Sequence, residues 1–365
     1  AAVAAVGRAW LKVPDALPTS VTCARLSTLQ LVTLPTEAQL DRLPPAISAA
    51  KLLRSLDVSG NHIPWLPHSV ASLRELRDLN VSGNDLADLP LSLAEMPNLH
   101  VLSMQGNCFA RLPAVVYSCK KLRSFKWGAQ RTPDARVMAR HRESSISTNA
   151  SQGTERGVGA PALCSTMLAV LELEVNGQPE LPQLNTANTV LTSLLASFNR
   201  LGSAPTQLSA FAGCLKKLHL GCNEIPCVAS LLPTLTRLVE LTLEGNRLSS
   251  LPAAIGGLKR LKELWVHGNQ ISRLPDELGK CASLTVLQCH HNLLAELPDA
   301  MRQLSKLQGL YMQSNLLSDL PGLRARVLDH LPLQNLGLGN NRLDIAHAFE
   351  RPGCRVGLAW NAGCP

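Results

Sequence analysis

Aromatic residues are scarce in this sequence: five Trp, five Phe and two Tyr make up 3% of its 365 residues, although 45% of the chain is hydrophobic. Leucine and alanine supply most of the hydrophobic side chains instead. A large core with so few aromatic residues is unusual, because aromatic side chains bury the most area per residue. A leucine-rich, aromatic-poor chain of this length therefore calls for a search for internal repeats.

Long apolar stretches are also missing. No run reaches the roughly 18–20 residues that span a bilayer, because polar residues interrupt the leucines throughout, and we expect no membrane span.

The eleven cysteines lack zinc-finger spacing. Cys119, Cys281 and Cys289 stand where the neighbouring copies of the leucine repeat described below carry leucine. We interpret these cysteines as small buried hydrophobic residues and the protein as intracellular, with reduced thiols.

The leucines recur in the pattern LxxLxLxxNxLxxLP, mostly at intervals of 23 residues. Counting each repeat from its first leucine, asparagine stands ninth in eleven of twelve repeats, with Gln130 in the other, and proline stands fifteenth in nine. Such regularity does not arise by chance. The repeats begin at Leu53, Leu76, Leu99, Leu122, Leu168, Leu191, Leu215, Leu238, Leu261, Leu284, Leu307 and Leu333.

This pattern resembles the leucine-rich repeat family. Within it, the LPxxLxxL second half is similar to that of the 23-residue intracellular class, which includes Ras-suppressor and Shoc-type scaffolds and plant intracellular Ras-group proteins. The resemblance covers residues 53–343. It implies an α/β solenoid, an arc with a parallel β-sheet on the concave side and irregular or 3₁₀ segments on the convex side.

Physical reasoning from the residues leads to the same architecture. Positions 4 and 6 alternate as in a short strand, so their side chains point into a core while positions 3, 5 and 7 point outward. No single repeat can bury its leucines alone, so successive repeats stack. The asparagine can bond backbone groups where the chain leaves the sheet, and proline suits an outer segment that needs no ladder donor.

The repeats divide the chain into five predicted segments. Residues 1–52 form an N-terminal cap with a degenerate repeat, 53–127 carry repeats one to four, 128–166 form an insertion, 167–343 carry repeats five to twelve, and 344–365 form a capping partial repeat. The insertion contains "SSISTNASQGTERGVGAP", a composition typical of a flexible loop. A strongly degenerate repeat is the alternative, because the spacing between Leu122 and Leu168 fits two repeats.

Outward positions in repeats seven to eleven gather aromatic, acidic and imidazole side chains, whereas the first three repeats present small polar groups. Solenoids often bind partners on the concave face, and exposed aromatic residues amid polar groups are typical of interface anchors. We therefore predict a site for a protein partner there. Its residues are His219, Glu240, Glu244, Glu263, Trp265, His267, Gln288, His290, His291 and Tyr311.

A second candidate surface is basic. Residues 119–143 contain eight Lys and Arg against Asp134 and Glu143, which could bind RNA, anionic lipid or an acidic protein. The plainer alternative is a solvated charged face. This predicted basic patch comprises Lys120, Lys121, Arg123, Lys126, Arg131, Arg136, Arg140 and Arg142.

Catalytic motifs are absent from the sequence: it has no Gly-rich phosphate loop, no H-E-x-x-H and no G-x-S-x-G. We expect no enzymatic activity, no cofactor and no metal, because His290 and His291 lack further ligands once Cys289 points into the core. The preferred interpretation is a cytoplasmic interaction scaffold, by analogy one that assembles signalling complexes. The alternative is a structural subunit of a large assembly, such as an organellar (for example mitochondrial) ribonucleoprotein that uses the basic patch.

Overall fold

The structure, a computed structural model, describes residues 43, 48, 50–131, 162–343 and 353–357, together with the backbone of Cys23–Arg25. Contacts within the chain group its residues into two compact units. The first unit comprises residues 1–176 and 182–188, and the second comprises residues 177–181 and 189–365.

The first unit contains a parallel sheet of three-residue strands. Each strand pairs with the next one in the sequence, and equivalent repeat positions lie side by side, as Leu56, Leu79 and Leu102 do. The strands are β1 (Cys23–Arg25), β2 (Ser55–Asp57), β3 (Asp78–Asn80), β4 (Val101–Ser103), β5 (Ser124–Lys126) and β6 (Val170–Glu172).

The second unit repeats this arrangement with strands of the same length, direction and register. Leu241, Leu264 and Leu287 are neighbours here, which keeps position 4 of each repeat in one column. The strands are β7 (Ser193–Leu195), β8 (Lys217–His219), β9 (Glu240–Thr242), β10 (Glu263–Trp265), β11 (Val286–Gln288), β12 (Gly309–Tyr311), β13 (Asn335–Gly337) and β14 (Arg355–Gly357).

Short 3₁₀ helices follow the proline at position 15, which is their N-cap. Proline fits there because its fixed φ suits the turn and no ladder needs its missing N–H group. These helices span His68–Ser72, Leu91–Glu95 and Ala114–Ser118 in the first unit, and Thr206–Phe211, Ala253–Gly257, Asp276–Lys280 and Asp299–Gln303 in the second. The predicted α/β solenoid, with 3₁₀ segments opposite a parallel sheet, is confirmed in each unit.

One return segment departs from the 3₁₀ pattern. The repeat that begins at Leu307 is three residues longer than its neighbours, and the extra length accommodates α1 (Leu320–Arg326), followed by a 3₁₀ turn at Leu328–His330. Asp319 caps α1, because its Oδ1 accepts a hydrogen bond from the Gly322 N–H group at 2.9 Å. No helix in the described part of the chain is long and apolar enough to cross a membrane.

Leucines at positions 4 and 6 form the core of each unit. Leu241, Leu264 and Leu310 are fully buried, and each such side chain contributes roughly 2 kcal/mol of transfer free energy. Cys289 replaces leucine at position 6 and is equally buried, which raises the pKa of its thiol to about 12. The prediction that Cys119, Cys281 and Cys289 are buried small hydrophobic residues is confirmed.

The asparagine at position 9 joins consecutive repeats. Asn269 Nδ2 donates to the carbonyl of Val266 in its own repeat (3.0 Å) and to that of Leu243 in the preceding repeat (2.9 Å). Its Oδ1 accepts from the N–H group of Leu248 at 3.0 Å. The same bonds recur at Asn84, Asn107, Asn223, Asn246, Asn292, Asn315 and Asn341.

Gln130 takes the place of asparagine in the fourth repeat. Its Oε1 accepts from the Phe109 N–H group at 3.3 Å, and its Nε2 donates to the carbonyls of Met104 (3.3 Å) and Gly128 (3.0 Å). The longer side chain therefore preserves the bridge between repeats, although two of its bonds are longer than those of Asn269. Residues 128–131, the start of the predicted insertion, consequently continue the path of the fourth repeat.

The other end of the predicted insertion packs on the first unit. Leu163 is buried and forms a parallel bridge with Leu184, and the Ser165 hydroxyl donates to the Leu122 carbonyl at 2.6 Å. Residues 132–161, like most of the two predicted terminal segments, lie outside the described residues. The boundaries of the five segments stay a prediction.

Position 8 has a conformational requirement that the sequence analysis did not identify. The residue there has positive φ, from 69° at Gly60 to 56° at Val175 and 51° at His291. Glycine adopts this left-handed conformation without strain, whereas other residues pay a penalty. Glycine occupies position 8 in five repeats, but Ala129, Val175, Phe198, Cys222, His291, Ser314 and Asn340 adopt the same conformation elsewhere.

We expect Asn269→Ala to lower the free energy of unfolding by about 2–4 kcal/mol, because several buried backbone groups lose their partner at once. Chemical denaturation followed by circular dichroism measures the change. Asn98→Ala is the matched control, since that partly exposed asparagine donates one hydrogen bond, to the Arg74 carbonyl. Equal losses in the two variants would contradict the bridging role.

We expect Val175→Gly to raise the free energy of unfolding by about 0.5–1 kcal/mol, because relief of left-handed strain exceeds the entropy cost of glycine. Val175 is 50% exposed, so little burial is lost. Val190→Gly provides the comparison: Val190 is 43% exposed but lacks positive φ, and its replacement should destabilise. A thermal melt in which both variants lose stability would refute the expectation.

Candidate functional site

Five neighbouring strands of the second unit, β8 to β12, bring the ten predicted partner-site residues to one sheet. The pairing places Glu240 beside Glu263, and Trp265 beside Gln288. Tyr311 follows on the next strand, and His267 and His290 stand two residues after the ends of β10 and β11. We call this surface the sheet-face cluster: His219, Glu240, Glu244, Glu263, Trp265, His267, Gln288, His290, His291 and Tyr311.

The rings in this cluster contact one another. The His267 and His290 rings stack with centroids 4.2 Å apart and an interplanar angle of 22°. The His291 ring meets that of His290 edge-on at 5.1 Å, and the Trp265 ring lies 6.4 Å from that of His267. The register prediction that His290 stacks beside His267 is confirmed.

Burial keeps the stacked imidazoles neutral. It lowers the pKa of His290 to about 4, with smaller contributions from His267 and His291, and it also lowers the pKa of His267, with help from His291. Two adjacent imidazolium ions would repel each other in a partly desolvated site. At neutral pH the stack therefore offers hydrogen-bonding nitrogens and ring faces rather than positive charge.

Several polar atoms of this face are buried without a hydrogen-bond partner among the described residues: Thr242 Oγ1, Trp265 Nε1, His267 Nδ1 and Gln313 Oε1. Each such group costs roughly 1–3 kcal/mol if it remains unsatisfied. A bound group that supplied the missing partners would recover that cost. Beside them lies a shallow depression of about 320 Å³, lined by Gln288, His290, His291, Tyr311 and Gln313.

Glycines on the sheet face make room for longer neighbours. A Cβ atom on Gly221 would collide with the Glu244 carboxylate, and one on Gly337 would collide with the Gln313 amide. The absent side chains therefore let Glu244 and Gln313 lie across the adjacent strand. The positions of these two polar groups depend on glycines in neighbouring repeats.

The carboxylates of the cluster differ in their charge partners. Burial alone would raise the pKa of Glu240, but the Lys217 ammonium at 2.8 Å and His219 outweigh it and lower that pKa. Glu263 makes no ion pair with any described residue. Of these two glutamates, Glu263 is therefore the one whose negative charge is not neutralised by a neighbouring cation.

Lys217, Thr242 and Gln313 belong to this surface but were not among the predicted residues. They occupy positions 3, 5 and 7, the same outward positions that identified the others. That signal was available in the sequence. The sequence prediction gave weight to aromatic, acidic and imidazole side chains, and it therefore omitted a lysine, a threonine and an amide.

Two of the five described residues of the predicted basic patch form ion pairs. Lys126 pairs with Glu172 at 2.8 Å, and Arg131 pairs with Asp85 at 3.0 Å while it also donates to the carbonyls of Asn84 and Gly106. Lys120, Lys121 and Arg123 are exposed and form no ion pair with a described residue. Arg136, Arg140 and Arg142 lie outside the described residues.

A metal site needs three or four ligand side chains close together. Within the described ranges, no three or more His, Cys, Asp or Glu side chains are grouped as metal ligands. Cys289 lies in the core, as predicted, so it cannot join His290 and His291. The histidines instead stack on each other and line the depression.

Family models identify the repeats in the second unit. A model described as "Leucine rich repeat" matches residues 259–317, and one described as "Leucine Rich repeats (2 copies)" matches residues 236–280. No curated protein is significantly similar to this sequence. The matched repeats include most of the sheet-face cluster.

Solved structures share the fold at low sequence identity. The protein LIC12759 of Leptospira interrogans is 22% identical with a TM-score of 0.54, over 93% of this chain and 96% of that one. A TDR receptor is 24% identical (TM-score 0.63; 88% and 53%), and the plant peptide hormone receptor RGFR1, in complex with RGF2, is 20% identical (TM-score 0.54; 83% and 54%). The chain thus spans about half of either receptor chain.

These findings confirm the predicted leucine-rich repeats within residues 236–317 and the predicted solenoid fold. At such identities the likeness establishes the fold alone. The narrower assignment to the LPxxL class of Ras-suppressor and Shoc-type proteins stays a prediction.

We expect stability to be complete above about pH 6.5 and to fall toward pH 4, because His290 binds a proton more weakly in the folded chain (pKa about 4) than at its usual 6.5. His290→Gln should reduce this acid-induced loss by about 1 kcal/mol after allowance for solvent screening. Urea unfolding at pH 7 and pH 4.5 measures it, with the exposed His68→Gln as control. An unchanged pH dependence in His290→Gln would exclude this explanation.

Proposed function

We propose that this chain, a leucine-rich repeat protein, is a non-enzymatic interaction scaffold that binds a protein partner on the sheet-face cluster of its second unit. Leucine-rich repeat proteins generally mediate protein–protein interactions, and the proposal concerns where and how this chain does so. The observation that carries it is the group of buried, unpartnered polar atoms around Trp265. Buried polar atoms without hydrogen bonds raise the free energy of the unbound surface, and a partner that bonds to them would recover that free energy.

The chemistry of the cluster describes the partner segment. Trp265 Nε1 needs a hydrogen-bond acceptor such as a backbone carbonyl, and the neutral His267 Nδ1 atom can accept or donate according to its tautomer. A basic side chain of the partner would meet the Glu263 carboxylate and the Trp265 ring together, because both lie on β10. The partner we propose is therefore a polypeptide that brings a Lys or Arg to the centre of the cluster.

The shape of the site favours binding over catalysis. Acid–base catalysis requires a group held near a reacting proton in a site that excludes water. Here the depression is shallow, and its histidines contact one another rather than a potential nucleophile. We therefore assign no reaction to it.

Precedent for binding comes from RGFR1, a protein of the same fold whose structure is a complex with RGF2.

By analogy with its repeat class, we propose that the chain is one of the intracellular scaffolds that assemble signalling complexes in the cytoplasm. The buried thiols Cys119, Cys281 and Cys289 agree with a reducing compartment. The alternative of a ribonucleoprotein subunit has less support, because two of the five described residues of its basic patch, Lys126 and Arg131, are already paired with carboxylates.

We expect the double variant Trp265→Ala/Tyr311→Ala to lose partners that the wild type captures from native cells, because it removes both aromatic anchors of the cluster. Quantitative mass spectrometry of the captured proteins measures the loss. The matched control is Trp65→Ala/Tyr117→Ala, which removes the same residue types from the first unit, off its strands. Thermal melts verify folding.

A charge variant separates binding from packing. Glu263→Lys reverses the unpaired carboxylate and keeps the Trp265 ring, whereas Glu296→Lys makes the same change outside the strands. The same partners should be lost with Glu263→Lys and kept with Glu296→Lys. If folded cluster variants and both controls capture identical proteins, the sheet-face cluster is not the binding site.

A further inference from the structure

The first unit carries a column of basic residues at position 2 of four consecutive repeats, immediately before strands β2 to β5: Arg54, Arg77, His100 and Arg123. Their backbones are directly linked. The N–H groups of Arg77, His100 and Arg123 donate to the carbonyl of the preceding member at 2.8, 2.7 and 2.7 Å. Residues 23 positions apart in the sequence are thus neighbours, at about 4.8 Å per strand.

Four further basic side chains lie one or two residues before the repeats' first leucines. The eight together, which we call the basic edge, are Lys51, Arg54, Arg74, Arg77, His100, Lys120, Lys121 and Arg123. Glu75 is the one acidic residue at these positions, and Asp78 follows Arg77 at position 3. Seven of the eight are exposed, His100 being half-buried, and none forms an ion pair with a described residue.

Several of these charges lie close enough to influence one side chain, the imidazole of His100. Burial lowers the pKa of His100, and Arg123, Arg77 and Lys121 lower it further, against an opposite effect of Asp78. Like charges held together in this way repel one another, and an anion that bound among them would relieve the repulsion. The edge is therefore poised for a negatively charged ligand.

Exposed apolar side chains mark the two ends of the basic edge. Leu52 is 52% exposed and Met167 is 43% exposed, and they stand three residues before β2 and β6 respectively. The two strands are four pairing steps apart, or roughly 19 Å. An extended polypeptide covers that distance with about six residues.

We propose that the basic edge binds an extended acidic segment of a partner polypeptide, with carboxylates on the arginines and apolar residues against Leu52 and Met167. Arginine suits this role because its planar guanidinium can form two parallel hydrogen bonds to one carboxylate. Exposed apolar contacts at both ends fit side chains of a peptide. The surface lies on the first unit, so it is independent of the sheet-face cluster.

Other polyanions fit these residues less well. Sites for single-stranded nucleic acid combine basic side chains with aromatic platforms on which bases stack, and the basic edge contains no Trp, Tyr or Phe. Binding to a bilayer surface grows with the apolar area inserted, and two separate side chains supply little. Both ligands serve as competitors in the test.

The test measures binding of a fluorescent peptide with four glutamates between two leucines, capped at both ends, by anisotropy at low and physiological salt. The full chain should bind it, and Arg54→Gln/Arg77→Gln/Arg123→Gln should weaken binding at least about tenfold. The matched control is Lys216→Gln/Arg237→Gln/Lys262→Gln, which removes three exposed charges from the second unit, two at position 2 and one, Arg237, just before a first leucine. It should bind as the wild type does.

Further arms decide the class of ligand. Leu52→Ser/Met167→Ser keeps every charge and should weaken the leucine-flanked peptide about threefold without affecting a peptide of glutamates alone. The proposal is overturned if the peptide does not bind, or if both triple variants weaken it equally. It is also overturned if oligouridylate or phosphatidylserine vesicles bind the wild type more tightly than the peptide does.

Discussion

The rest of this structure depends on one side chain amide repeated along the chain. Eight of the position-9 asparagines donate to carbonyls of two repeats and accept an N–H group from the earlier one, as Asn269 does with Leu243, Val266 and Leu248. Strands of only three residues cannot hold their register alone, and buried backbone groups must be paired. The amide supplies both needs, which explains why Gln130, the exception, still reaches equivalent groups.

Fixed register turns sequence positions into surfaces. Residues at equivalent positions become neighbours about 4.8 Å apart although 23 or more residues separate them. The outward positions of the second unit thereby collect Trp265, the stacked histidines and Glu263. Position 2 of the first unit collects Arg54, Arg77 and Arg123 by the same rule. One scaffold can present two chemically opposite surfaces because the core constrains only the positions that face inward.

The sheet-face cluster costs stability, which agrees with a role in binding. His291 holds a left-handed conformation that glycine occupies in the two preceding repeats, at Gly245 and Gly268. Trp265 and Thr242 bury polar atoms without partners within the described residues. Strain and unsatisfied groups persist at functional surfaces because the surrounding leucine column stabilises them.

The sequence by itself determined the repeat period, the strand register, the solenoid and the outward side chains, because a two-residue alternation and a leucine column leave one way to bury the core. Tertiary structure alone decided which charges remain free. Lys126 and Arg131 sit in one basic stretch of sequence, yet pair with Glu172 and Asp85, which are 46 residues away. Arg123 instead joins Arg54 and Arg77 in the basic edge. Which side chains form ion pairs, and which polar atoms lack partners, depends on side-chain conformations and on the space that glycines leave beside neighbouring repeats. The repeat period specifies neither.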